Sequence, residues 1–400
     1  MKYNLSFGRG VSVFCLILFL LQEMVFRLLF PLPEGKVFNR SLYMPTLGGD
    51  ASKTAIRSIN VLWYSKPDDA KFSMHLNRYG FRGRTWKARA NPGLTRVAFF
   101  GDSFTEGLMA RDEETIACGF AKRAKISGDG VECLNFGVGG LEPEQYLLLL
   151  IDGVAHFNLD KVVVVVFAND LSGETEVIFR GPVSFEPYNY WKPRIWELVD
   201  MLRRGECLPC RWNFINRPFF YPIDHPNCPE IIVKRVERSR GIVDQFIYEA
   251  MTEGKFAPMR VGGSSYLEKP LQQSFDLTET LKELKGYCEV YGSELYLVYL
   301  PDRGMVTNYY KKFEKTYSRS KALSVDLTQE SYHLHRRLLE AQCKKVGVPF
   351  KDFTPFVVEM EARDEHLYWD YDDHMRGWAY LKIGEEIHDW MSGMESAALH

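Results

Sequence analysis

The sequence predicts an α/β protein built on a parallel, doubly wound sheet, with an inserted subdomain and an N-terminal hydrophobic helix. Two observations carry this prediction. From residue 96 onward, short apolar segments alternate with segments of helical periodicity, which is typical of consecutive strand–helix units. One apolar segment, residues 162–167, consists of five valines and a phenylalanine, and such a β-branched run fits a central strand that is covered on both faces.

The individual elements follow from the same patterns. Apolar runs predict strands at residues 97–100, 131–135, 162–167, 295–300 and 349–353. Amphipathic segments predict helices at residues 113–125, 143–156, 277–291, 327–346 and 377–391. Between residue 172 and about residue 266 the alternation stops, and proline, arginine and aromatic residues accumulate there. We therefore predict an insertion in this region.

The amino terminus is predicted to anchor the chain in a membrane. Residues 11–30 are almost entirely apolar and just long enough to cross a bilayer, and they follow the cationic side chains of Lys2 and Arg9. Positively charged flanks stay in the cytoplasm. We therefore interpret residues 1–32 as a signal anchor that places the rest of the chain in the periplasm or at the cell surface.

Two alternatives to an uncleaved anchor stay open at this point. A basic start and an apolar run also fit a signal peptide, although no small-x-small cleavage site follows. The other alternative is an apolar helix docked on the protein's own core. Glu23 and Arg27 are costly in a bilayer, but they lie four residues apart and can pair on one helical face.

Behind the anchor, we predict a connecting segment and one main domain. The extended connecting segment, residues 33–92, contains Asn-Arg-Tyr-Gly-Phe-Arg-Gly at residues 77–83, whose glycines predict tight turns. The main domain spans residues 93–392 and is interrupted by the insertion at about 172–266. The formal net charge of -2 leaves no basic excess to attract nucleic acid, and no nucleic-acid motif is present.

Gly101-Asp102-Ser103 directly follows the first predicted strand. Open α/β sheets place their chemistry at the carboxyl ends of their strands, which makes Ser103 a candidate nucleophile. A serine in a strand-to-helix turn is more often a helix cap, so this motif decides nothing on its own.

Three further segments complete a candidate site. Residues 135–140, Asn-Phe-Gly-Val-Gly-Gly, form a loop in which backbone N–H groups can approach a ligand closely. Asn169 follows the valine-rich strand, and its amide can either stabilise developing negative charge or close an Asx-turn. His374 follows several carboxylates, as expected for a general base or for a helix-start cluster. Together with Ser103, these segments supply the groups that acyl transfer requires at one sheet edge.

On these motifs the chain resembles the SGNH or GDSL-type hydrolases, from about residue 77 to residue 390 without the insertion. The resemblance implies a three-layer, flavodoxin-like fold with Ser103 as nucleophile and His374 as base. It also implies an oxyanion hole formed by the N–H groups of Ser103 and Gly140 and by the Asn169 side chain. The glycine motif of the connecting segment and the hydrophobic amino terminus are similar to those of membrane-linked bacterial members.

The acid that supports His374 is less well defined. The commonest family pattern has an acid three residues before the histidine, where this chain has Tyr371. Asp372 matches the shorter Asp-x-His spacing of the branch that includes alginate O-acetylation proteins, so the resemblance implies Asp372 as the catalytic acid. Asp370 and Asp373 are alternatives. Asp373 is the less suitable of the two, because adjacent side chains in an extended segment point in opposite directions.

The resemblance implies a serine esterase that hydrolyses an O-acyl ester, acetyl above all, on a carbohydrate or lipid through an acyl-enzyme and without a cofactor. An O-acetyltransferase that modifies an envelope polysaccharide with the same site is the first alternative. The second is a non-catalytic carbohydrate-binding or assembly protein, against which the complete set of matched residues argues. Esterase and transferase share their first half-reaction, so the sequence does not separate them.

Cys207, Cys210, His225 and Cys228 form a separate cluster in the insertion. Two close pairs of soft ligands have the shape of a structural zinc site, but in an exported domain a disulfide among the cysteines competes. Free thiols are the third alternative. In every case we expect this cluster to stabilise the insertion and to take no part in catalysis. We also expect that catalysis needs no metal.

Other polar residues are assigned structural or surface roles. His366 is the main rival to His374 as general base, but it lies in no recognisable motif. Asp302 and Arg303 follow the fourth predicted strand, where a solvated pair is the favoured interpretation. His333 lies in a predicted helix beside arginines and is expected at the surface.

Overall fold

The structure of the protein is a computed structural model. It describes residues 2–29, 60–61, 72–73, 77, 81–84, 86–139, 141, 143–171, 193, 195–196, 199, 222–226, 228, 230–241, 245–253, 276–312, 326–370 and 373–398. Ahead of the main domain it contains helix α1 (Lys2–Leu29) and an antiparallel pair of short strands, β1 (Asn60–Val61) and β2 (Phe72–Ser73).

A parallel sheet forms the centre of the main domain. In the described chain its strands are β3 (Thr95–Gly101), β4 (Val131–Gly137), β5 (Lys161–Phe167), β6 (Glu294–Leu300) and β7 (Phe350–Asp352). They lie in the order β4-β3-β5-β6-β7, and every neighbouring pair is parallel. The order reverses between β3 and β5, as in the doubly wound sheet of flavodoxin-like proteins. The predicted fold class is confirmed.

Helices connect the strands and cover both faces of the sheet. They are α2 (Ser103–Glu106), α3 (Ile116–Ser127), α4 (Pro143–Phe157), α5 (Glu230–Ser239), α6 (Gln245–Thr252), α7 (Thr278–Val290), α8 (Arg303–Val306), α9 (Leu334–Val346), α10 (Thr354–Ala362) and α11 (Gly377–Ala398). Helices α5 and α6 lie within the range predicted as an insertion. Short 3₁₀ turns occur at Ala168–Leu171 and Glu330–His333.

The strand side chains alternate between two hydrophobic layers, because successive residues of a strand face opposite sides of the sheet. Ala98 and Phe100 pack with α4, α7 and α9, whereas Val97 and Phe99 pack with α3, α10 and α11. The valines of β5 divide between the same two layers, and all of them are buried. The sheet is therefore the middle of three layers, with β5 covered on both faces as predicted.

Helices α3 and α11 touch through their backbones at two glycines. A Cβ atom added to Gly119 would lie 2.2 Å from the carbonyl oxygen of Leu381. One added to Gly384 would lie 2.1 Å from the carbonyl oxygen of Ile116. Glycine thus permits an approach that a side chain would block. Helix α11 therefore packs directly on the backbone of α3.

Part of the predicted connecting segment packs into the main domain. Phe81 is completely buried, and its ring lies 5.4 Å from that of Trp86 and 5.0 Å from that of Phe136 on β4. Trp86 also meets Phe157 edge-on at 5.4 Å, at the end of α4. Both residues belong to the hydrophobic layer formed with α4.

Helix α1 contains a span, Gly10–Leu29, that is long and apolar enough to cross a membrane, with a mean hydropathy of 2.0. A signal sequence at the amino terminus meets the same criteria. Within the described chain 0% of this span is buried, which argues against a helix docked on the core. Glu23 and Arg27 form the expected ion pair, with 2.6 Å between Oε1 and Nε.

Outside the predicted insertion, which contains α5 and α6, periodicity did not predict three short helices of the described chain, α2, α8 and α10. Helices α2 and α8 have four residues each, and aspartates cap them: Asp102 accepts from a backbone N–H of α2, and Asp302 from one of α8. Helix α10 has a proline in its first turn and only weak amphipathicity. Helices α2 and α8 are therefore marked in the sequence by a capping aspartate, and none of the three helices is marked by a hydrophobic stripe.

Candidate active site

Ser103 lies where β3 ends and α2 begins. Asp102 caps this helix, since its Oδ1 accepts a hydrogen bond from the Phe104 N–H at 2.9 Å. Gly101 has no room for a side chain, because an added Cβ would lie 2.0 Å from Thr105 Oγ1. The sequence left open whether Ser103 caps a helix. The structure shows that Asp102 caps α2 instead.

His374 contacts the Ser103 hydroxyl. Its Nε2 lies 2.8 Å from Ser103 Oγ, a distance suited to proton transfer between a nucleophile and its base. The histidine is 8% exposed, and its ring stacks on Phe104 with 4.9 Å between centroids. Phe104 stacks in turn on Phe167 of β5 at 3.6 Å. Aromatic packing thus fixes the imidazole beside the serine.

Backbone contacts hold the loop that carries His374. Tyr368 and Met375 form an antiparallel bridge, and the Trp369 N–H donates to the His374 carbonyl oxygen at 3.0 Å. Arg303 donates through Nη1 to the carbonyl oxygen of the same tryptophan at 2.8 Å. The peptide groups next to the imidazole are therefore tied to the end of β6.

The prediction of a solvated Asp302–Arg303 pair is wrong, because both residues are 0% exposed. Asp302 accepts from the Gly304 N–H at 2.6 Å and so caps α8. The Arg303 guanidinium lies 5.1 Å from the centroid of the Tyr310 ring. Burial of the Arg303 guanidinium is compensated by its hydrogen bond to the Trp369 carbonyl oxygen, in the loop that carries His374.

Among the described residues, the Asp373 carboxylate lies close to Nδ1, the other nitrogen of His374. Asp373 Oδ1 is 3.3 Å from His374 Nδ1, within ion-pair distance. The expectation that its side chain would point away is wrong, because the chain bends here and strand alternation does not apply. Asp370 lies instead against Arg376, with 3.4 Å between Oδ1 and Nη2. Asp372 lies outside the described residues.

Asn169 lies in the first turn beyond β5. Asp170 closes this turn, because its Oδ2 accepts hydrogen bonds from the Phe167 N–H and the Tyr146 hydroxyl, each at 2.8 Å. The side chain that closes this turn is thus that of Asp170, and its bond to the preceding Phe167 N–H differs from the Asx-turn considered for Asn169. Within the described part of the chain, Asn169 Oδ1 is buried without a hydrogen-bond partner.

Two polar side chains join the glycine-rich loop to the turn that follows Ser103. Asn135 donates through Nδ2 to the Thr105 carbonyl oxygen and accepts from the Gly137 N–H, both at 2.9 Å. Glu106 is completely buried and accepts from the Gly139 N–H at 2.9 Å. Neither role was predicted from the sequence. The available signal was an amide inside an apolar run, at Asn135, where burial obliges it to find partners.

Asp102 is a carboxyl group buried beside Ser103. Burial raises its pKa from 3.8 to about 6, against the lowering effects of the Phe104 N–H and the charge of His374. Because the folded-state pKa is the higher one, the folded chain binds more protons than the unfolded chain between about pH 4 and pH 6. Ionisation of Asp102 therefore lowers the free energy of unfolding as the pH rises through this window.

We expect Asp102→Asn to raise the free energy of unfolding at pH 7.5 by on the order of 1–3 kcal/mol, and to change it little at pH 4. Asparagine keeps the oxygen that caps α2 and removes the buried charge. Urea denaturation of the full-length protein and the variant at both pH values measures the difference. A difference that does not change with pH would contradict the raised pKa.

The predicted cysteine cluster and the oxyanion glycine are only partly described. Within the cluster, the Cys228 N–H donates to the His225 carbonyl oxygen at 2.9 Å. Zinc, a disulfide and free thiols all stay predictions for this cluster. The predicted residues that lie outside the described part of the chain are Gly140, Cys207 and Cys210, in addition to Asp372.

Two other histidines occupy structural positions. His366 Nδ1 lies 2.9 Å from Glu361 Oε2, and the ring stacks on Tyr309 with 3.5 Å between centroids. His333 is 4% exposed, so its predicted surface position is wrong, and burial lowers its pKa. The imidazole at Ser103 is that of His374.

No protein-family model and no curated protein sequence matches the chain. Several solved structures do match it. A lipase/acylhydrolase from Enterococcus faecalis is 12% identical with a TM-score of 0.37, and the match covers 75% of this chain and 97% of the other. The acetyl xylan esterase AlAXEase is 11% identical with a TM-score of 0.35, covering 74% and 98%.

A GDSL-like lipase from Bacteroides thetaiotaomicron is 14% identical with a TM-score of 0.31, covering 76% of this chain and 89% of that one. The chain is thus similar to lipases and esterases, and one of them is of the GDSL type that its motifs resemble. The roles of individual residues rest on the distances within this chain.

Proposed function

We propose that the protein is a serine hydrolase of the SGNH or GDSL type that cleaves an O-acyl ester through an acyl-enzyme on Ser103. The observation that carries this proposal is the 2.8 Å contact between Ser103 Oγ and His374 Nε2. Ser103 follows β3 and Asn169 follows β5, and the strand order reverses between these two strands. Open α/β proteins bind their ligands at such a switch point.

The reaction begins with a proton transfer. His374 Nε2 takes the proton of Ser103 Oγ as this oxygen attacks the ester carbonyl carbon. His374 then gives the proton to the leaving alcohol, and the acyl group stays on Ser103. Water repeats the sequence and releases the carboxylic acid.

A carboxylate at His374 Nδ1 keeps the ring in the tautomer that leaves Nε2 free to accept, and it stabilises the imidazolium. We assign this role to Asp372 on its Asp-x-His spacing. Asp373 is the alternative, supported by its 3.3 Å contact with Nδ1. Asp370 is the weakest of the three, because it lies against Arg376.

The tetrahedral intermediate needs fixed hydrogen-bond donors for its oxyanion. We assign this role to the N–H groups of Ser103 and Gly140 and to the Asn169 side chain. Ser103 is the first residue of α2, where an N–H has no acceptor within the helix. The bond from the Gly139 N–H to Glu106 supports the second donor, since it anchors the loop one residue before Gly140.

The proposed substrate is an acyl ester, acetyl above all, of a carbohydrate or lipid outside the cytoplasm. Helix α1 supports this location, because Gly10–Leu29 is long and apolar enough to cross a membrane. Lys2 and Arg9 precede the span, and flanking positive charge stays in the cytoplasm. We therefore place the main domain in the periplasm or at the cell surface, held at the membrane by α1.

A second function, O-acetyl transfer to an envelope polysaccharide, would use the same residues. The Asp-x-His spacing of Asp372 and His374 favours it, because the branch with alginate O-acetylation proteins shares this spacing. The two functions differ only in the second half-reaction, in which a sugar hydroxyl takes the place of water.

We expect the full-length protein in detergent to hydrolyse p-nitrophenyl acetate, with free acetate as the main product even when an acetylatable polysaccharide is present. Quantifying free acetate and acetylated sugar in the same reaction measures this partition. The Ser103→Ala variant provides the background. Acetylated sugar as the main product would assign the transferase function, and no turnover of any acyl ester would contradict both functions.

A further inference from the structure

A buried arginine of the connecting segment reaches the turn at residues 106–110, which follows the proposed nucleophile Ser103 and is named the nucleophile turn. Arg82 is 3% exposed and belongs to the glycine motif at residues 77–83. Its guanidinium donates to Asp112 Oδ1 and to the carbonyl oxygens of Glu106, Gly107 and Ala110. The three carbonyl groups belong to the end of α2 and the turn after it, only a few residues beyond Ser103.

Two of these peptide groups connect Arg82 to the backbone of the nucleophile. The Glu106 carbonyl shares its peptide group with the Gly107 N–H, which donates to the Ser103 carbonyl oxygen at 3.0 Å. The Gly107 carbonyl shares its peptide group with the Leu108 N–H, which donates to the same oxygen at 2.9 Å. Each rigid peptide plane is thus bound by Arg82 on one side and by Ser103 on the other.

The turn has little freedom to rearrange around Arg82. Gly107 has a φ of +78°, which L-residues with side chains rarely adopt. A Cβ added there would lie 2.8 Å from Thr115 Cγ2 and 3.3 Å from Arg82 Nη1. The guanidinium therefore fills the space inside the turn, and it satisfies buried carbonyl groups that would be costly to leave without donors.

We propose that Arg82 is a positioning residue that fixes the backbone of Ser103. It keeps Ser103 Oγ within reach of His374 and keeps the Ser103 N–H directed at the oxyanion. This role rests on the proposed function. Lysine cannot replace it, because an ammonium donates from a single nitrogen, whereas the planar guanidinium reaches four oxygens at once.

Arg96 offers a matched control for this proposal. Arg96 is also buried, at 0% exposed. Like Arg82, it binds one carboxylate, that of Glu132, and backbone carbonyl groups, those of Ala88 and Phe157. It lies at the amino end of β3, whereas Ser103 follows the carboxyl end of the same strand. Loss of Arg96 should therefore cost stability without disturbing the nucleophile turn.

The test compares kcat and KM of Arg82→Lys and Arg96→Lys with p-nitrophenyl acetate, at a temperature at which both variants are folded. We expect Arg82→Lys to lower kcat by about 10- to 100-fold with little change in KM, since small displacements of a nucleophile are costly. Arg96→Lys should lose a similar amount of thermal stability and keep kcat within about twofold. Guanidinium ion in solution should restore part of kcat to Arg82→Ala and none to Arg96→Ala.

Three results would overturn the positioning role: unchanged kcat in folded Arg82→Lys, an equal loss of kcat in Arg96→Lys, or no effect of guanidinium ion on Arg82→Ala. Should Arg82→Ala fail to fold, Asp112→Asn takes its place, because it removes the carboxylate partner and keeps the guanidinium. Unchanged kcat in Asp112→Asn would then overturn the proposal. Activity that survives in Ser103→Ala would overturn the assignment of Ser103 as nucleophile, on which this role rests, and an inactive Ser103→Ala beside a fully active Arg82→Lys would overturn only the role of Arg82.

Discussion

Replacement of Ser103 by alanine is expected to abolish ester hydrolysis, with kcat lowered by at least about 10³-fold. Alanine removes the oxygen that lies 2.8 Å from His374 Nε2. It leaves the Asp102 cap and the stacking of His374 on Phe104 intact, so the variant should fold. Release of p-nitrophenol measures the loss, and labelling with a fluorophosphonate followed by peptide mass spectrometry locates the reactive serine.

Ser127→Ala is the matched control for this prediction. Ser127 is the exposed last residue of α3, so its loss should change neither turnover nor labelling. Turnover that persists in Ser103→Ala, or a label on another serine of the wild-type protein, would assign the nucleophile elsewhere.

Among the three aspartates that precede His374 in the sequence, the largest loss is expected for Asp372→Asn, at about 10³- to 10⁴-fold in kcat. An amide in place of the orienting carboxylate favours the wrong imidazole tautomer and cannot stabilise the imidazolium. Asp373→Asn removes a charge 3.3 Å from Nδ1 and should cost about 10-fold or less. Asp370→Asn should cost least, because Asp370 lies against Arg376.

The pH dependence of kcat/KM in these variants separates orientation from charge. Loss of the orienting carboxylate should lower the apparent pKa of the base as well as kcat. If Asp373→Asn shows the largest loss in kcat and this pKa change, the role belongs to Asp373. If Asp370→Asn does so, the loop around His374 rearranges in the working enzyme, and the assignment of Asp372 is wrong.

The sheet could be predicted from sequence because a buried strand requires apolar residues at neighbouring positions, which form a recognisable local pattern. The valines of β5 alternate between two hydrophobic layers, so both faces require apolar side chains and the strand appears as a continuous run. Ser103 and Asn169 follow strand ends, and the carboxyl ends of parallel strands meet at one edge. A sequence pattern therefore places these residues near each other without any knowledge of distances.

Contacts between segments leave no such local pattern. Arg82 and Arg303 carry charges, which predict exposure, yet both are buried. Arg82 donates to several backbone carbonyl groups, and Arg303 donates to that of Trp369 and lies over the Tyr310 ring. The contact of Asp373 with His374 depends on a bend that strand alternation does not foresee. The raised pKa of Asp102 depends on burial behind α2, a helix too short to show periodicity. These properties belong to the folded chain.

The contact between α3 and α11 has a consequence for when Ser103 and His374 meet during folding. Ser103 and His374 are 271 positions apart, and α11 begins three residues after the histidine. Contacts over such a separation form late, because the entropy of closing the intervening chain must first be overcome. Until α11 has packed on α3, Ser103 therefore lacks the imidazole of His374. Under the proposed function, no ester can be hydrolysed before this carboxyl-terminal helix has docked.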